Sequence, residues 1–121
     1  MLNHHLDRAE WGAFFDGLSR HVADTPSYAT ARVFTVRPGE VEGEQEEAWR
    51  RLVGVTWEPG EDTITVALDG LDHRIERPND VWADEPTPQL VRRFVVVGPG
   101  GRRDEVELRS ADLMEGALAD R

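Results

Sequence analysis

The stretch Thr63-Ile64-Thr65-Val66-Ala67-Leu68, Asp69-Gly70, Leu71-Asp72-His73-Arg74-Ile75-Glu76-Arg77 places two runs of strand-forming residues around a two-residue turn signal. Read as a hairpin on a type I′ turn, it sets Leu68 opposite Leu71, Val66 opposite His73, Ile64 opposite Ile75 and Asp62 opposite Arg77. Apolar side chains then meet apolar or amphipathic ones, and the end charges have opposite sign. A slip of one residue would set Ile64, Val66 and Leu68 against Glu76, Arg74 and Asp72, so the pattern itself selects the pairing.

Upstream, Trp49-Arg50-Arg51-Leu52-Val53-Gly54-Val55-Thr56-Trp57 and the turn Glu58-Pro59-Gly60-Glu61-Asp62 add a strand and complete a three-strand antiparallel meander. Regular alternation puts Trp49, Val53, Val55 and Trp57 on one face, with Arg51 intruding, and Leu52 on the other. A β-bulge at Gly54 would instead let Leu52 and Val55 share the inner face and would bend the sheet toward barrel-like closure.

The surface that covers this sheet is legible near the start of the chain. Asp7-Arg8-Ala9-Glu10 fits a capping box, and Trp11, Phe14, Phe15, Leu18 and Val22 follow as one apolar stripe at helical spacing. So short a helix, with a Trp and two Phe on one side, is marginal alone and requires burial against the sheet. Burial as core outweighs an aromatic ligand platform as the reading of that stripe.

Between helix and meander, Asp24-Thr25-Pro26-Ser27 breaks the helix. Tyr28 to Val36 reads as a strand with no assignable inward face, ended by Pro38-Gly39. Glu40, Glu42, Glu44, Glu46 and Glu47 then crowd one segment, where mutual repulsion predicts a mobile acidic loop over 39–48. It lacks the ligand spacing of a calcium loop.

Downstream, Val81-Trp82 is a short apolar pair, with Trp82 expected to plug one end of the core. Leu90 to Val97 is a strand that Gly98-Pro99-Gly100-Gly101 turns into Glu105-Val106-Glu107-Leu108-Arg109. For Phe94 and Val96 to face the same way as Val106 and Leu108 the loop must be odd in length, and five residues would set Arg93 opposite Glu107. Ser110 is a candidate cap for a short helix through Met114. The expected class is therefore α+β: one N-terminal amphipathic helix on a bent antiparallel sheet of five or six strands, tending to a barrel. The chain reads as a single domain over 1–121, frayed over 1–6 and loose over 111–121.

Length and composition bound the function. A chain of 121 residues suffices to bury a sizeable core without staples, and the absence of cysteine excludes disulfides and thiolate metal sites. A net charge of −10 argues against a nucleic-acid partner, since phosphate binding depends on basic clusters. All fourteen basic residues are Arg, which reads as the codon usage of a GC-rich bacterial genome. No apolar run is long enough for a membrane span and no secretion signal is visible, so the expectation is a cytoplasmic protein.

At this point the order of features resembles a known group. Arg8-x-x-Trp11-x-x-Phe14-Phe15-Asp16, Leu52-x-Gly54-Val55, His73-x-Ile75-x-x-Pro78 and Gly101 leading to Leu108-Arg109-Ser110 resemble small bacterial proteins known only as a domain of unknown function, over most of residues 7 to 110. The acidic segment and the stretch from Tyr28 to Arg37 depart from that pattern. The resemblance implies one compact helix-plus-sheet domain and carries no catalytic residue.

Among chemistry-bearing residues, His73 with Asp72, Asp69 and Arg74 is the leading constellation, since an imidazole beside carboxylates can act as base or metal ligand. The register places His73 on the inward face, which favours a half-buried imidazole hydrogen-bonded to backbone. His4 and His5 lie in a tail, His21 suits a helix C-terminus, and no Ser-His-Asp arrangement can be built. The Arg pairs 50/51, 92/93 and 102/103 supply at most one side chain each to a given face, and exposed Arg–Glu pairs account for them. The sequence thus points to a non-enzymatic protein-interaction or self-association module, with no cofactor or metal. The rival is a small-molecule or anion-binding domain, or a weak enzyme, with a pocket near His73, Arg74 and Trp82.

Overall fold

The computed structural model of the chain describes residues 4–24, 29–39, 44–45, 49–84 and 91–110. In chain order these form β1 (His4–Leu6), α1 (Arg8–Asp24), β2 (Ala29–Val36), β3 (Glu44–Gln45), β4 (Arg50–Glu58), β5 (Thr63–Leu68), β6 (Leu71–Glu76), β7 (Asp80–Asp84), β8 (Arg93–Val97) and β9 (Arg103–Ser110). Eight strands make one antiparallel path in the order β1-β7-β8-β9-β2-β4-β5-β6, and β3 pairs with β2 beside it. The class is α+β, but the sheet is open and has more than the expected five or six strands. Those the sequence reading lacks are β1 and β3, of three and two residues, too short to show an alternation, and β7, where Val81-Trp82 reads as a short apolar pair instead of part of an alternating strand.

The central hairpin has the expected register: Leu68 pairs with Leu71, Val66 with His73 and Ile64 with Ile75. Its turn is not type I′, which needs positive φ at both central residues; among the two, Gly70 alone has it, at 81°. Beyond the paired strands Arg77 N–H donates to Asp62 O at 2.9 Å, and both residues have positive φ, 52° and 50°. The pairing foreseen for Asp62 and Arg77 is thus a backbone contact where the two strands leave the sheet.

In β4 the register shifts between Leu52, opposite Leu68, and Gly54, opposite Ala67. Val53 is the extra residue of a bulge. Leu52 and Val55 therefore both face the core, while Val53 is 58% exposed, against its inward place under regular alternation. β4 pairs with β2 at Arg50 and Arg51. Further along, Ser19 of α1 serves that edge: its hydroxyl donates to Val55 O and accepts from Val55 N–H, both at 2.9 Å. Gly54 makes the approach fit, because a Cβ there would stand 3.2 Å from Ser19 Oγ. Ser19→Ala is expected to cost about 1–3 kcal/mol, since it strands a backbone donor and acceptor. A lower urea midpoint at unchanged m-value would show it.

Helix α1 starts as the capping box predicts on one side: Asp7 N–H donates to the Glu10 carboxylate at 3.0 Å. Trp11, Phe15 and Val22 are buried, with Phe14 and Leu18 half-buried beside them. Trp11 Nε1–H donates to Leu6 O at 3.1 Å, and its ring meets Trp57 edge-on at 5.0 Å. Arg8 fixes the helix start from outside. It lies over the Trp11 and Trp57 rings, donates to Pro78 O at 2.9 Å and pairs with Asp62 at 3.3 Å.

The β8–β9 loop holds five residues, Gly98 to Arg102, and Arg93 stands opposite Glu107 as expected, although its guanidinium pairs with Glu105 at 3.5 Å. Two expectations are corrected. Residues 4–6 are not frayed, because they pair with Val81 to Ala83 on β7. Trp82 does not plug the core: Val81 and Ala83 take the inward positions, and Trp82 is 38% exposed on the outer side, against the His5 ring at 4.6 Å. Within the acidic stretch, Glu44–Gln45 pair with Thr35 and Phe34; residues 40–43 and 46–48, and the tail over 111–121 with its expected helix, lie outside the described residues.

Candidate functional site

The inward stripe of β9 continues back from Leu108 and Val106 to Asp104, and that of β2 runs from Ala31 and Val33 to Thr35. Register sets Thr35 directly opposite Asp104, with Val96 of β8 on the other flank. These positions put a carboxylate and a hydroxyl into one layer of the core. Because the sheet curls beyond β4, the inward stripe of β6 faces β9, and His73 reaches the same layer.

There, Asp104 Oδ1 accepts from Thr35 Oγ1 at 2.9 Å and lies 3.2 Å from His73 Nε2. Asp104 Oδ2 stands 3.3 Å from Arg102 Nε at ion-pairing distance, and both atoms are buried without an aligned hydrogen bond among the described residues. Arg102 also donates to Glu76 O at 3.4 Å, tying the loop after β8 to the end of β6. Gly98 leaves room for it, since a Cβ there would meet its Nη2 at 3.0 Å. Asp104 itself is 3% exposed.

Burial pushes the Asp104 carboxyl up. The hydrogen bonds from His73 and Thr35, with the charges of His73 and Arg102, pull further the other way, and the group rests below its ordinary value of 3.8. The cluster therefore holds a carboxylate. It is not a nucleophile relay, because the Thr35 hydroxyl donates to the carboxylate rather than to the imidazole.

The three residues proposed from sequence stand in three settings. His73 is inward and half-buried, and a carboxylate beside it is Asp104, thirty-one residues on, which the sequence reading did not place there. Arg74 is exposed on the outer face and pairs with Glu61 at 3.4 Å. Trp82 lies on β7 beside His5, whose Nε2 is 3.0 Å from Asp80. Near Arg74, the Glu58 carboxyl is held above its usual value by a hydrogen bond with Glu61 and by the Glu61 charge. Arg–Glu pairing on the sheet exterior recurs at Arg32 and Glu107, 3.3 Å apart, where Trp49 lies under the Arg32 and Arg109 guanidinium groups at 4.6 and 3.9 Å.

Sequence reasoning missed Asp104 because it began the last strand at Glu105. Extending the alternation of Val106 and Leu108 back by two residues would have found it. Neighbours along a strand point to opposite faces, so Asp72 and Arg74 could not have served His73.

Comparison with protein families matches residues 2–115 to DUF5335, a family of unknown function. The chain belongs to this family. No curated protein and no solved structure matches it. Membership agrees with the resemblance to a domain of unknown function and brings no activity with it. Among the described residues no group of three or more His, Asp or Glu is placed to hold a metal ion, and no helix is long and apolar enough to cross a membrane.

Proposed function

We propose that this member of the family is a non-enzymatic protein-interaction module, and that its contact surface is the open side of β6. One observation carries the reading: β6 ends the strand path, so among the described strands none pairs with its far side. Asp72, Arg74 and Glu76 are exposed along it. An edge of this kind adds a partner strand through backbone hydrogen bonds, with side chains setting selectivity. The inward groups lie apart from this edge, with Thr35, His73 and Arg102 all turned to the Asp104 carboxylate. A shared ligand pocket for His73, Arg74 and Trp82 gains nothing from three side chains that face apart.

Affinity capture from host extract tests the proposal, with the full chain compared with Arg74→Pro. Proline removes one outward N–H, a change that an edge strand tolerates. Proteins retained by the wild-type chain and lost with the variant, at matching circular dichroism, are the expected result. Retention of the same proteins by both, or of none by either from a chain that also stays monomeric at every concentration, would overturn it.

A further inference from the structure

We propose that β6 pairs antiparallel with β6 of a second copy of this chain, about a two-fold axis at His73. The inference rests on the interaction-module reading and names its partner.

The backbone defines which groups are available. A two-residue turn makes Leu68 and Leu71 a hydrogen-bonded pair, and alternation then directs the N–H and C=O of residues 71, 73 and 75 toward β5. Those of 72, 74 and 76 point to the open side. The contact from Arg102 to Glu76 O agrees with this parity and occupies that end of the edge. Among the described residues, Asp72 and Arg74 remain as the open donors and acceptors of the strand.

Two-fold pairing allows few registers, and charge separates them. An axis at Arg74 sets Arg74 against itself and Asp72 against Glu76, and an axis at Asp72 sets Asp72 against itself. Both juxtapose like charges, which is destabilising on directly opposed strands. An axis at Ile75 would match Arg74 with Glu76, but the Glu76 carbonyl is engaged by Arg102 and the chain leaves the sheet at Arg77, where φ is 52°. An axis at His73 sets Asp72 of each copy against Arg74 of the other, with four backbone hydrogen bonds. It also sets His73 against itself on the inner side, where each imidazole is half-buried against Asp104 of its own copy. On the inner side it places Leu71, 37% exposed, at the register position of the other copy's Ile75, which is itself fully buried, so the added apolar cover falls on Leu71 alone. The interface is self-complementary, as two-fold association requires.

A single strand pair buries little surface, so the dimer is of the weak, concentration-dependent kind. The test is sedimentation velocity on the full chain from about 1 μM to 1 mM, a span suited to weak association. It covers wild type, Asp72→Arg, Arg74→Asp and an equimolar mixture of the two variants. Both positions are exposed, so folding is preserved. The wild-type chain is expected to pass from monomer to dimer with concentration. Each variant alone repels its own copy and is expected to raise the dissociation constant at least about tenfold, since it turns two opposite-charge contacts into like-charge ones. The mixture restores opposite charges at both contacts and is expected to recover the dimer mass. A wild-type monomer throughout, or a dimer indifferent to both variants, overturns the inference. A wild-type monomer beside extract proteins captured in an Arg74→Pro-sensitive way would end the self-pairing alone and leave the module reading standing.

Discussion

Asp104→Ala is expected to lower the unfolding free energy by about 3–5 kcal/mol, the cost typical of removing one member of a buried charge network. The carboxylate is the acceptor shared by Thr35 and His73 and the counter-charge of Arg102, and all three lose it together. Against a total stability of about 5–15 kcal/mol for a domain of ordinary size, that is a large share. Asp104→Asn keeps the shape and gives up the charge, so its loss is expected to be smaller, about 1–3 kcal/mol. The acid limb of stability supplies a second reading of the same change. The folded carboxyl lies below its unfolded value, so the stability it contributes is complete above about pH 4 and is lost as pH falls through the folded value. Urea midpoints from pH 7 to pH 3 should fall less steeply for Asp104→Asn than for the wild-type chain. Parallel curves would mean that the charge of Asp104 contributes nothing.

Phe15→Ala is expected to cost about 3–5 kcal/mol, as large-to-small changes at fully buried aromatic positions do. Phe15 has no exposed surface, and its ring meets Phe94 of β8 at 5.3 Å and Phe14 at 5.2 Å. It therefore joins the helix, which packs mainly along β4, to the opposite wing of the sheet. Phe14 lies on the same stripe but is half-buried, and Phe14→Ala is expected to cost clearly less. Equal losses in chemical denaturation would show that the helix is seated by its general apolar character and not by Phe15.

The helix, the bulge at Gly54, the hairpin register and the five-residue loop were legible because each rests on a local rule: a spacing of 3.6, an extra residue, a parity. β1 and β7 were not. Three residues at His4–Leu6 carry no period, and their strand exists because β7 offers them an edge. Trp82 was misplaced because size was taken for depth; the small neighbours Val81 and Ala83 hold the inward positions instead. The partner of His73 was hidden for a different reason. Its imidazole meets β9 across the fold, and one strand alone does not reveal how strongly a sheet curls.

Strand order also governs how this chain can be made. β9, residues Arg103–Ser110, lies between β8 and β2 near the middle of the path, yet it comes last of the described strands in the chain. At about 5–20 residues per second on a ribosome, roughly several seconds separate the emergence of Thr35 from that of Asp104. During that interval the flank of β2 has no long neighbour, and among the described residues only the helix, through Phe15 against Phe94, joins the two wings. A nascent product stalled before Arg103 would thus carry two unfinished half-sheets, material that proteases and chaperones meet before any native molecule exists.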